Sequence, residues 1–334
     1  MKGYDAVPMT LSQLRTFALV ARLGSLHAAA ESLGVSEPAV SAALAALRQD
    51  LGDPLFVRAA GGIALTPGGR ALADYAQDIV GLADQARWEV SNATNDAGRL
   101  RIASTAPFAE HAAGRLLDLF TKRVPGAAVD VVVESAEDLA SLLQERAYDI
   151  ALGARPAAPT GNGVAEGGLE SVAFLRYQRV LVAAAGHPLA RLPGPVSAAR
   201  LLDRPWFAGP AGIQESSEEG RWLASAGLVP EIIRLSSETE ALAAVRAGEG
   251  IMLALGHIVR GELQGGVLAR LPVVGTPVTG LWWATTLDHR RTTTMARTLQ
   301  RFAGTADATS AMVAPGGSRG LERRGSKFHV ALWS

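Results

Sequence analysis

The sequence contains no cysteine, few aromatic residues and no excess of charge of either sign, with a formal net charge of zero at pH 7. Without cysteine the chain can form no disulfide and no thiolate metal or nucleophile site, which fits the reducing cytoplasm. Residues 1–5 form no apolar signal segment, and no apolar run approaches the roughly 18 residues that cross a bilayer. We therefore expect a cytoplasmic protein without a membrane partner.

Motifs of catalysis and cofactor binding are also missing. Residues 161–166 lack the third glycine of a dinucleotide-binding loop, and no GxSxG nucleophile motif is present. Metal-ligand spacing is absent among the six histidines, which are His27, His111, His187, His257, His289 and His329. The sequence therefore predicts no cofactor and no metal, and nothing in it nominates a catalytic residue. Because the net charge is zero, any affinity for DNA must come from locally placed cations.

With 334 residues and 48% hydrophobic content, the chain is long enough for two or three globular domains. Its most informative stretch runs from Ser25 to Phe56, where two short apolar blocks at helical spacing flank residues 34–36. Gly34 can adopt the positive φ that ends a helix, Ser36 can cap the next helix, and Pro38 is tolerated in its first turn. The pattern predicts a helix-turn-helix, although an ordinary helical hairpin would look similar.

The flanking residues extend this pattern on both sides. Thr10 and Gln13 have the spacing of a capping box that begins a supporting helix. After Asp53-Pro54, residues 55–58 and 63–66 are predicted to form two short strands, a wing, around a glycine turn. A long helix should run from Gly69 to about Asn95. Apolar residues three and four apart on this helix form a possible coiled-coil seam for dimerisation, or alternatively pack on their own domain: Leu72, Tyr75, Ile79, Leu82 and Ala86.

Residues 10–69 resemble the N-terminal domain of LysR-type transcriptional regulators almost position for position. The matching pieces are Leu14, Phe17, Gly24-Ser25, Ala29-Ala30, Leu33, Val35-Ser36, Pro38-Ala39-Val40-Ser41, Leu44, Leu47, Leu51-Gly52, Leu55-Phe56, Arg58 and Leu65-Thr66-Pro67-Gly68. The resemblance implies an α winged helix-turn-helix domain and a long linker helix that dimerises. It also implies a two-lobed α/β effector domain of periplasmic-binding-protein type.

The candidate DNA-binding residues lie in the helix-turn-helix and the wing: Ser25, His27, Ser36, Glu37, Pro38, Ser41, Gln49 and Arg58. If Val40, Leu44, Leu47 and Leu51 face the core, the opposite face of the second helix is small and nearly uncharged. Members of the family commonly carry glutamine at the position of Glu37. This carboxylate could accept from a cytosine N4 amine or merely complement the positive helix N-terminus. Arg58 could bind phosphate or the minor groove, or be an ordinary surface arginine.

Strands and helices alternate beyond residue 98, which predicts a parallel sheet with crossover helices. Strands are predicted at 100–104, 128–134, 148–153, 179–185, 231–235, 251–255 and 281–286, and helices at 109–121, 137–144, 218–226, 240–247 and 292–302. The order suggests that the chain crosses twice between two lobes, as in LysR-type effector domains and the related periplasmic solute-binding proteins.

In two-lobed α/β domains small ligands bind at the carboxyl ends of strands, where helix N-termini offer free N–H groups. The candidate effector-binding residues are accordingly Ser104, Thr105, Ser135, Gly209, Leu255 and His257. An anionic metabolite would suit such a site. Ser104 and Thr105 could alternatively serve only as helix caps, and the other positions could be structural turns.

The sequence thus predicts four parts: a DNA-binding domain (1–68), a linker helix and hinge (69–98), a two-lobed effector domain (99–304) and a low-complexity extension (305–334). The extension should be flexible and end in a strand or docking segment, or be disordered throughout. Together these features predict a sequence-specific transcriptional regulator that binds double-stranded DNA, a small-molecule effector and a second copy of itself, as a homodimer or homotetramer. The alternative is a cytoplasmic ligand-binding module or an enzyme whose helical N-terminus serves assembly.

Overall fold

The computed structural model describes residues 9–59, 62–92, 99–156, 168–197, 199–314 and 328–331. The chain divides into two compact units, of which the first consists mainly of the residues up to 95 and the second of most of the remainder. Among the described helices, none is both long and apolar enough to cross a membrane. The predicted hinge at residues 93–98 lies outside the described residues.

The first unit contains the predicted helix-turn-helix, wing and linker helix. Its elements are α1 (Leu11–Leu23), α2 (Leu26–Leu33), α3 (Glu37–Leu51), β1 (Phe56–Ala59), β2 (Gly62–Leu65) and α4 (Pro67–Asn92). Thr10 and Gln13 form the predicted capping box of α1, and Gly34 ends α2 in the left-handed region with φ +65°. The backbone of Ser36 is extended before α3, but its side chain makes no capping hydrogen bond, contrary to our expectation.

One small apolar core holds the three helices and the wing together. Phe17 of α1 is completely buried, and its ring lies 5.2 Å from the ring of Phe56 in β1. Val40, Leu44 and Leu47 of α3 join this core as predicted. Leu51, which was also expected to face the core, is 43% exposed because it lies in the last turn of α3. The exposed and buried faces of α3 therefore follow the sequence pattern up to that last turn.

The junction between the wing and α4 is closely packed. The carboxylate of Asp53 accepts hydrogen bonds from the Leu55 N–H at 2.6 Å and the Thr66 hydroxyl at 2.7 Å, and Thr66 in turn accepts from the Gly69 N–H at 2.8 Å. The hydrogen bond from Thr66, and secondly that from Leu55, lower the pKa of Asp53. At Gly69 a Cβ would lie 2.1 Å from the Leu55 carbonyl oxygen. The start of α4 can therefore approach the wing only because position 69 has no side chain.

The second unit is built around one mixed sheet. Its strands are β3 (Arg99–Ser104), β4 (Ala128–Val133), β5 (Ile150–Gly153), β6 (Leu169–Ala184), β7 (Trp206–Ala208), β8 (Ile232–Arg234), β9 (Ile251–Leu255), β10 (Leu268–Arg270), β11 (Val278–Leu287) and β12 (Phe328–Ala331). Its helices are α5 (Ala106–Phe108), α6 (Gly114–Arg123), α8 (Ala199–Leu202), α9 (Glu218–Ser225), α10 (Glu238–Arg246), α11 (Gly256–Gln264), α12 (Thr294–Ala303) and α13 (Ala306–Val313). A π-helical turn, Ala109–Ala113, joins α5 to α6, and a further helix α7 (Leu139–Gln144) lies between β4 and β5.

The strand order is β12-β4-β3-β5-β11-β6-β9-β7-β8, with β10 also paired to β6. Strands β3, β4 and β5 are mutually parallel, whereas β11 runs antiparallel to β5 and β6 antiparallel to β9. Strand β7 also pairs in parallel with β8 and β9. The prediction of a parallel sheet was therefore correct within each of these two groups of strands and wrong for the sheet as a whole. The two long strands β6 and β11 return the chain and are responsible for the antiparallel pairings.

The apolar clusters of this unit follow the two lobes that the sequence predicted, with one cluster in the first lobe and two in the second. The first lobe surrounds Leu116 and Phe120, and the second surrounds Trp206 and Leu253. Strand β6 takes part in both, since Phe174 packs in the first core and Leu181 in the second. The sequence prediction began this strand at Arg179, ten residues late, because the first half of β6 is half exposed and its polar residues hid the strand signal.

The C-terminal region departs from our domain boundary at residue 304. Helix α13 follows that boundary, and its Ala308 and Met312 are buried in the core of the first lobe. The core of the first lobe therefore includes residues beyond 304. A final strand, β12, pairs in parallel with β4, as one of our alternatives expected. The predicted flexible segment at 315–327 lies outside the described residues.

Gly69→Ala tests the packing of the wing against α4. Alanine normally stabilises a helix relative to glycine, but here its Cβ would meet a backbone oxygen that cannot rotate away, so we expect a loss of about 1–3 kcal/mol. Calorimetric unfolding of the full chain measures the change. Gly261→Ala in α11 is the control, since nothing lies within 4 Å of its Cβ, and it should gain about 0.5–1 kcal/mol. A gain at both positions would contradict the packing described here.

Candidate functional site

The exposed face of α3 is the first candidate surface. Glu37, Pro38, Ser41 and Gln49 are all exposed, on the side of the helix opposite the buried Val40 and Leu44. This face is small and nearly neutral, as the sequence predicted. The exposed residues are therefore available to a partner that fits around a single helix.

Two of the predicted residues are in contact with each other. His27 of α2 and Glu37, the first residue of α3, form an ion pair with 2.6 Å between Nδ1 and Oε1. Sequence analysis treated these residues separately, because they are ten positions apart and lie on different helices. Ser25 caps α2, since its hydroxyl accepts from the Ala28 N–H at 3.3 Å. Glu37 is thus held at the N-terminus of α3 by a histidine from the neighbouring helix.

The wing places Arg58 on β1, opposite Ile63 of β2 in an antiparallel register. The orientation of its side chain lies outside the described structure. The backbone nevertheless puts this cation within a two-stranded hairpin that follows α3, as the sequence predicted. Arg58 therefore remains a candidate from its position rather than from its contacts.

The linker helix α4 carries an exposed apolar stripe. Tyr75 is 69% exposed, Leu82 56% and Ile79 43%, and Ala86 is also exposed. Leu72, at the beginning of the stripe, is half-buried against the core of the first unit. Large apolar side chains at helical spacing that a single chain leaves in solvent are typical of a helix with a partner.

The second candidate site is a cavity of about 860 Å³ in the second unit. The first lobe contributes the residues that follow β3, β4 and β5, the second lobe contributes residues between Phe207 and Arg221, and the two long strands supply Tyr177, Arg179 and Leu281–Trp283. The cavity thus lies at the carboxyl ends of parallel strands, which is where the sequence analysis expected a ligand.

Two of the six predicted effector residues, Thr105 and Ser135, line this cavity. The Thr105 hydroxyl accepts from the Ala154 N–H at 3.3 Å, which leaves its hydrogen available to donate. The Ser135 hydroxyl donates to Asp138 at 2.7 Å. Both side chains are therefore at the cavity surface, and Ser135 also has a structural partner.

The other four predicted residues are not part of the described lining. Ser104 is completely buried, and its hydroxyl donates to the Thr105 carbonyl. Gly209 is packed against Glu238, because a Cβ there would lie 2.9 Å from Glu238 Cγ. Leu255 belongs to the apolar core of the first lobe, and His257 places its ring edge-on against Trp282. These positions were predicted from the ends of strands, but Ser104 and Leu255 are buried in the protein interior, and Gly209 and His257 pack against neighbouring side chains.

The floor of the cavity is a buried ion-pair network that sequence analysis missed. Arg179 of β6 pairs through Nη2 with Glu238 at 2.7 Å, donates through Nη1 to the Leu253 carbonyl at 3.0 Å, and lies in ion-pair contact with Glu219. The other oxygen of Glu238 lies 2.9 Å from His111 Nε2 on the π turn. The network therefore connects β6, α9 and α10 with the first lobe.

The opposite charges within this network determine the protonation states of Arg179 and Glu238. Burial alone lowers the pKa of Arg179, but the carboxylates of Glu238 and Glu219 outweigh this and raise it. Burial likewise raises the pKa of Glu238, but Arg179 and His111 outweigh this and lower it to about 2. Arg179 and Glu238 are consequently both ionised at neutral pH.

The network also holds the N-terminus of α10. Glu110, next to His111 on the π turn, accepts hydrogen bonds from the N–H groups of Glu238 at 2.9 Å and Thr239 at 2.7 Å. A carboxylate at this position satisfies free N–H groups and complements the helix dipole. The first lobe therefore supplies acceptors for the first turn of a helix in the second lobe, beside its own N-cap Ser237, whose hydroxyl accepts from the Glu240 N–H at 3.0 Å.

The described residues include no group of three histidine, aspartate or glutamate side chains placed to hold one ion. The carboxylates of the cavity floor are occupied by Arg179, His111 and Tyr177.

Two family models match the chain. Residues 11–70 match the bacterial regulatory helix-turn-helix model of the lysR family, and residues 93–308 match the LysR substrate-binding domain. The chain is 37% identical over 328 residues to an uncharacterized HTH-type transcriptional regulator of Mycobacterium tuberculosis, covering 98% of this chain and 100% of the relative. It is 30% identical to the regulator CfxR of Cupriavidus necator, covering 85% of this chain and 87% of the relative.

A solved structure shows the same fold. Full-length OxyR from Pseudomonas aeruginosa superimposes with a TM-score of 0.54 at 18% identity, covering 90% of this chain and 100% of that chain.

Glu238→Gln tests the cavity floor through its pH dependence. The pKa of Glu238 is depressed from its ordinary 4.5 to about 2 in the folded protein, so its contribution to stability is present above pH 4.5 and is lost as pH falls from 4.5 toward 2. We expect the variant to unfold at lower urea concentration at pH 7 and to show a weaker loss of stability in acid. Glu249→Gln, at an exposed position, is the control. An acid profile identical to that of the unaltered protein would refute the role of Glu238.

Proposed function

The chain belongs to the LysR family of bacterial transcriptional regulators, and from this premise we propose how its two units act. Operator DNA is bound through α3 and the wing, a second copy pairs through α4, and a small-molecule effector occupies the cavity of the second unit. The observation that carries the DNA-binding role is the exposed face of α3, on a helix whose other face is buried. A helix of this kind fits a major groove.

Helix α3 offers few positively charged side chains that could contribute to DNA affinity. The exposed residues at its beginning are Glu37, Pro38 and Ser41, which carry no positive charge. Phosphate contacts would then come from Arg58 of the wing and from backbone N–H groups at the helix N-terminus. Pairing of two copies would supply the remaining DNA affinity, because two recognition helices bind one (pseudo)palindromic operator together.

Effector control would follow from population shift between lobe arrangements. A ligand that contacts both lobes of the cavity favours the arrangement in which those contacts are made, by its difference in affinity for the two arrangements. The Thr105 hydroxyl and the residues after β4, including Ser135, supply polar contacts from the first lobe. We propose an anionic metabolite as the effector, which acts on DNA binding and is not converted.

A catalytic role is not proposed. The relatives reported above are named transcriptional regulators. In the described part of the cavity, the floor carboxylates Glu219 and Glu238 are paired with a cation that remains charged, which makes them poor general bases. The chain is therefore proposed to bind its effector without turnover.

The Glu37→Gln variant tests base recognition by α3. A carboxylate accepts from a cytosine N4 amine, whereas a glutamine amide matches adenine in the major groove. We expect the variant to change base preference at one position in each half-site in a selection from random double-stranded DNA. Glu31→Gln on α2, at an exposed position away from the start of α3, is the matched control. Identical selected sequences for Glu37→Gln and the unaltered protein would count against base recognition by this residue.

The Leu82→Glu variant tests pairing through α4. A charge in the middle of the exposed stripe would have to be buried in a helix-to-helix contact, so we expect smaller oligomers in light scattering and a loss of operator affinity of at least about tenfold. Val274→Glu is the control, because Val274 is exposed to 84% but lies in the second unit outside the stripe. If Leu82→Glu kept its oligomeric state while losing DNA affinity, α4 would not be the pairing element.

A further inference from the structure

The first turn of α10 is bound by a side chain of the other lobe. Helix α10 is anchored in the second lobe, where Ala241 and Leu242 pack in an apolar cluster. The N–H groups of its first two residues, Glu238 and Thr239, donate to Glu110 of the first lobe, which precedes them by 128 and 129 positions in the sequence. These hydrogen bonds therefore join the two lobes.

The Glu110 carboxylate is held as a separate carboxylate ligand would be held at a helix N-terminus. One oxygen accepts from the Glu238 N–H at 2.9 Å, and the other accepts from the Thr239 N–H at 2.7 Å and the Thr239 hydroxyl at 2.5 Å. Free N–H groups and the helix dipole favour an anion at this position. Three donors of the second lobe thus bind one carboxylate of the first.

Helix α10 has a cap of its own and does not need Glu110 in order to begin. The Ser237 hydroxyl accepts from the Glu240 N–H, which is the usual N-cap contact. Water can satisfy the remaining N–H groups of an exposed helix end, and Thr239 is exposed. The hydrogen bonds to Glu110 therefore contribute to the placement of the lobes more than to the formation of the helix.

The π turn that carries Glu110 is fixed in the first lobe. Phe108 before it and Ala112 within it are buried in the apolar cluster of that lobe. From the same turn, His111 contacts the Glu238 carboxylate, with 2.9 Å between Nε2 and Oε2. Single π turns are frequent at functional sites. Two consecutive residues of one turn thus hold the backbone and the side chain of Glu238.

Glu238 belongs both to this contact and to the cavity. Its carboxylate pairs with Arg179 at the cavity floor, whereas its N–H is bound by Glu110. Glu110 itself does not line the cavity as described. The contact between the lobes is therefore separate from the ligand cavity and is connected to it through one shared residue.

We propose that Glu110 is a clasp between the lobes: a built-in anion that occupies the N-terminus of α10 and holds the lobes in the arrangement described here. The clasp is formed by the chain alone, so the inference goes beyond the proposed function and does not depend on it. Without the Glu110 carboxylate, the N–H groups of Glu238 and Thr239 are left to water and the lobes lose this link. A small carboxylate from solution should then take its place.

Distances between the lobes of the full chain test the clasp. Because the sequence contains no cysteine, Lys122→Cys on α6 and Ala224→Cys on α9 place one spin label on each lobe, both at exposed positions. We expect Glu110→Ala to shift or broaden the label-to-label distance in pulsed electron paramagnetic resonance. Glu170→Ala, at an exposed position of the first lobe, is the matched control and should leave the distance unchanged.

Chemical rescue separates a clasp from a merely structural role. Excess sodium acetate or formate, but not sodium chloride at equal ionic strength, should return Glu110→Ala to the original distance. Half-saturation should lie in the millimolar range, as expected for so small a ligand. Acetate should not rescue Glu110→Gln, because the amide still fills the site and presents donors where acceptors are needed.

Thr239→Val gives a second measurement with Glu110 intact. It removes the hydroxyl donor and keeps both N–H groups, so it should change the distance in the same direction and by less. Unchanged distances in both Glu110→Ala and Thr239→Val overturn the inference. A changed distance in Glu110→Ala that acetate restores no better than chloride also overturns it.

Circular dichroism establishes whether each variant folds. A Glu110→Ala chain that folds in acetate but not in chloride supports the clasp, whereas one that folds in neither contradicts a role limited to placing the lobes. None of these results alters the test of DNA binding by α3, so the clasp and the proposed function can fail separately.

Discussion

The paired Arg179 is the constraint on which the effector cavity depends. An unpaired arginine at this depth would be strongly destabilising, so the residue requires both glutamates and the Leu253 carbonyl as acceptors. Those acceptors come from α9, α10 and β9, and Glu238 in turn contacts His111 of the first lobe. A single strand, β6, thereby fixes the starts of two helices and connects the lobes at the cavity floor. A ligand meets a floor whose arginine is already paired with the protein's own carboxylates.

Recognition of a ligand therefore falls to the walls of the cavity, to which both lobes contribute. A ligand that engages one wall alone gains nothing from a change in lobe arrangement, whereas one that engages both has different affinities for the two arrangements. Such a difference is the thermodynamic requirement for a switch, and tight binding alone does not provide it.

The sequence predicted those features that are determined locally. Thr10, Gln13 and Gly34 set the helix ends of the DNA-binding unit, and the apolar spacing of Val40, Leu44 and Leu47 set the buried face of α3. Features that arise from distant partners were not predictable. His27 and Glu37 meet across two helices, and Arg179 and Glu238 are 59 positions apart. At the end of β3, Thr105 lines the cavity and Ser104 lies in the interior, because successive residues of an extended chain point to opposite sides.

The neutral face of α3 affects how DNA binding can be regulated. If each recognition helix contributes few phosphate contacts, a single copy binds weakly and the second copy supplies most of the affinity. The two half-sites are then bound together only when the spacing of the paired copies matches the operator. A small change of spacing costs such a protein more affinity than it would cost one with a strongly cationic helix. A recognition helix with few charged residues therefore makes DNA binding more sensitive to any change in the pairing of the two copies.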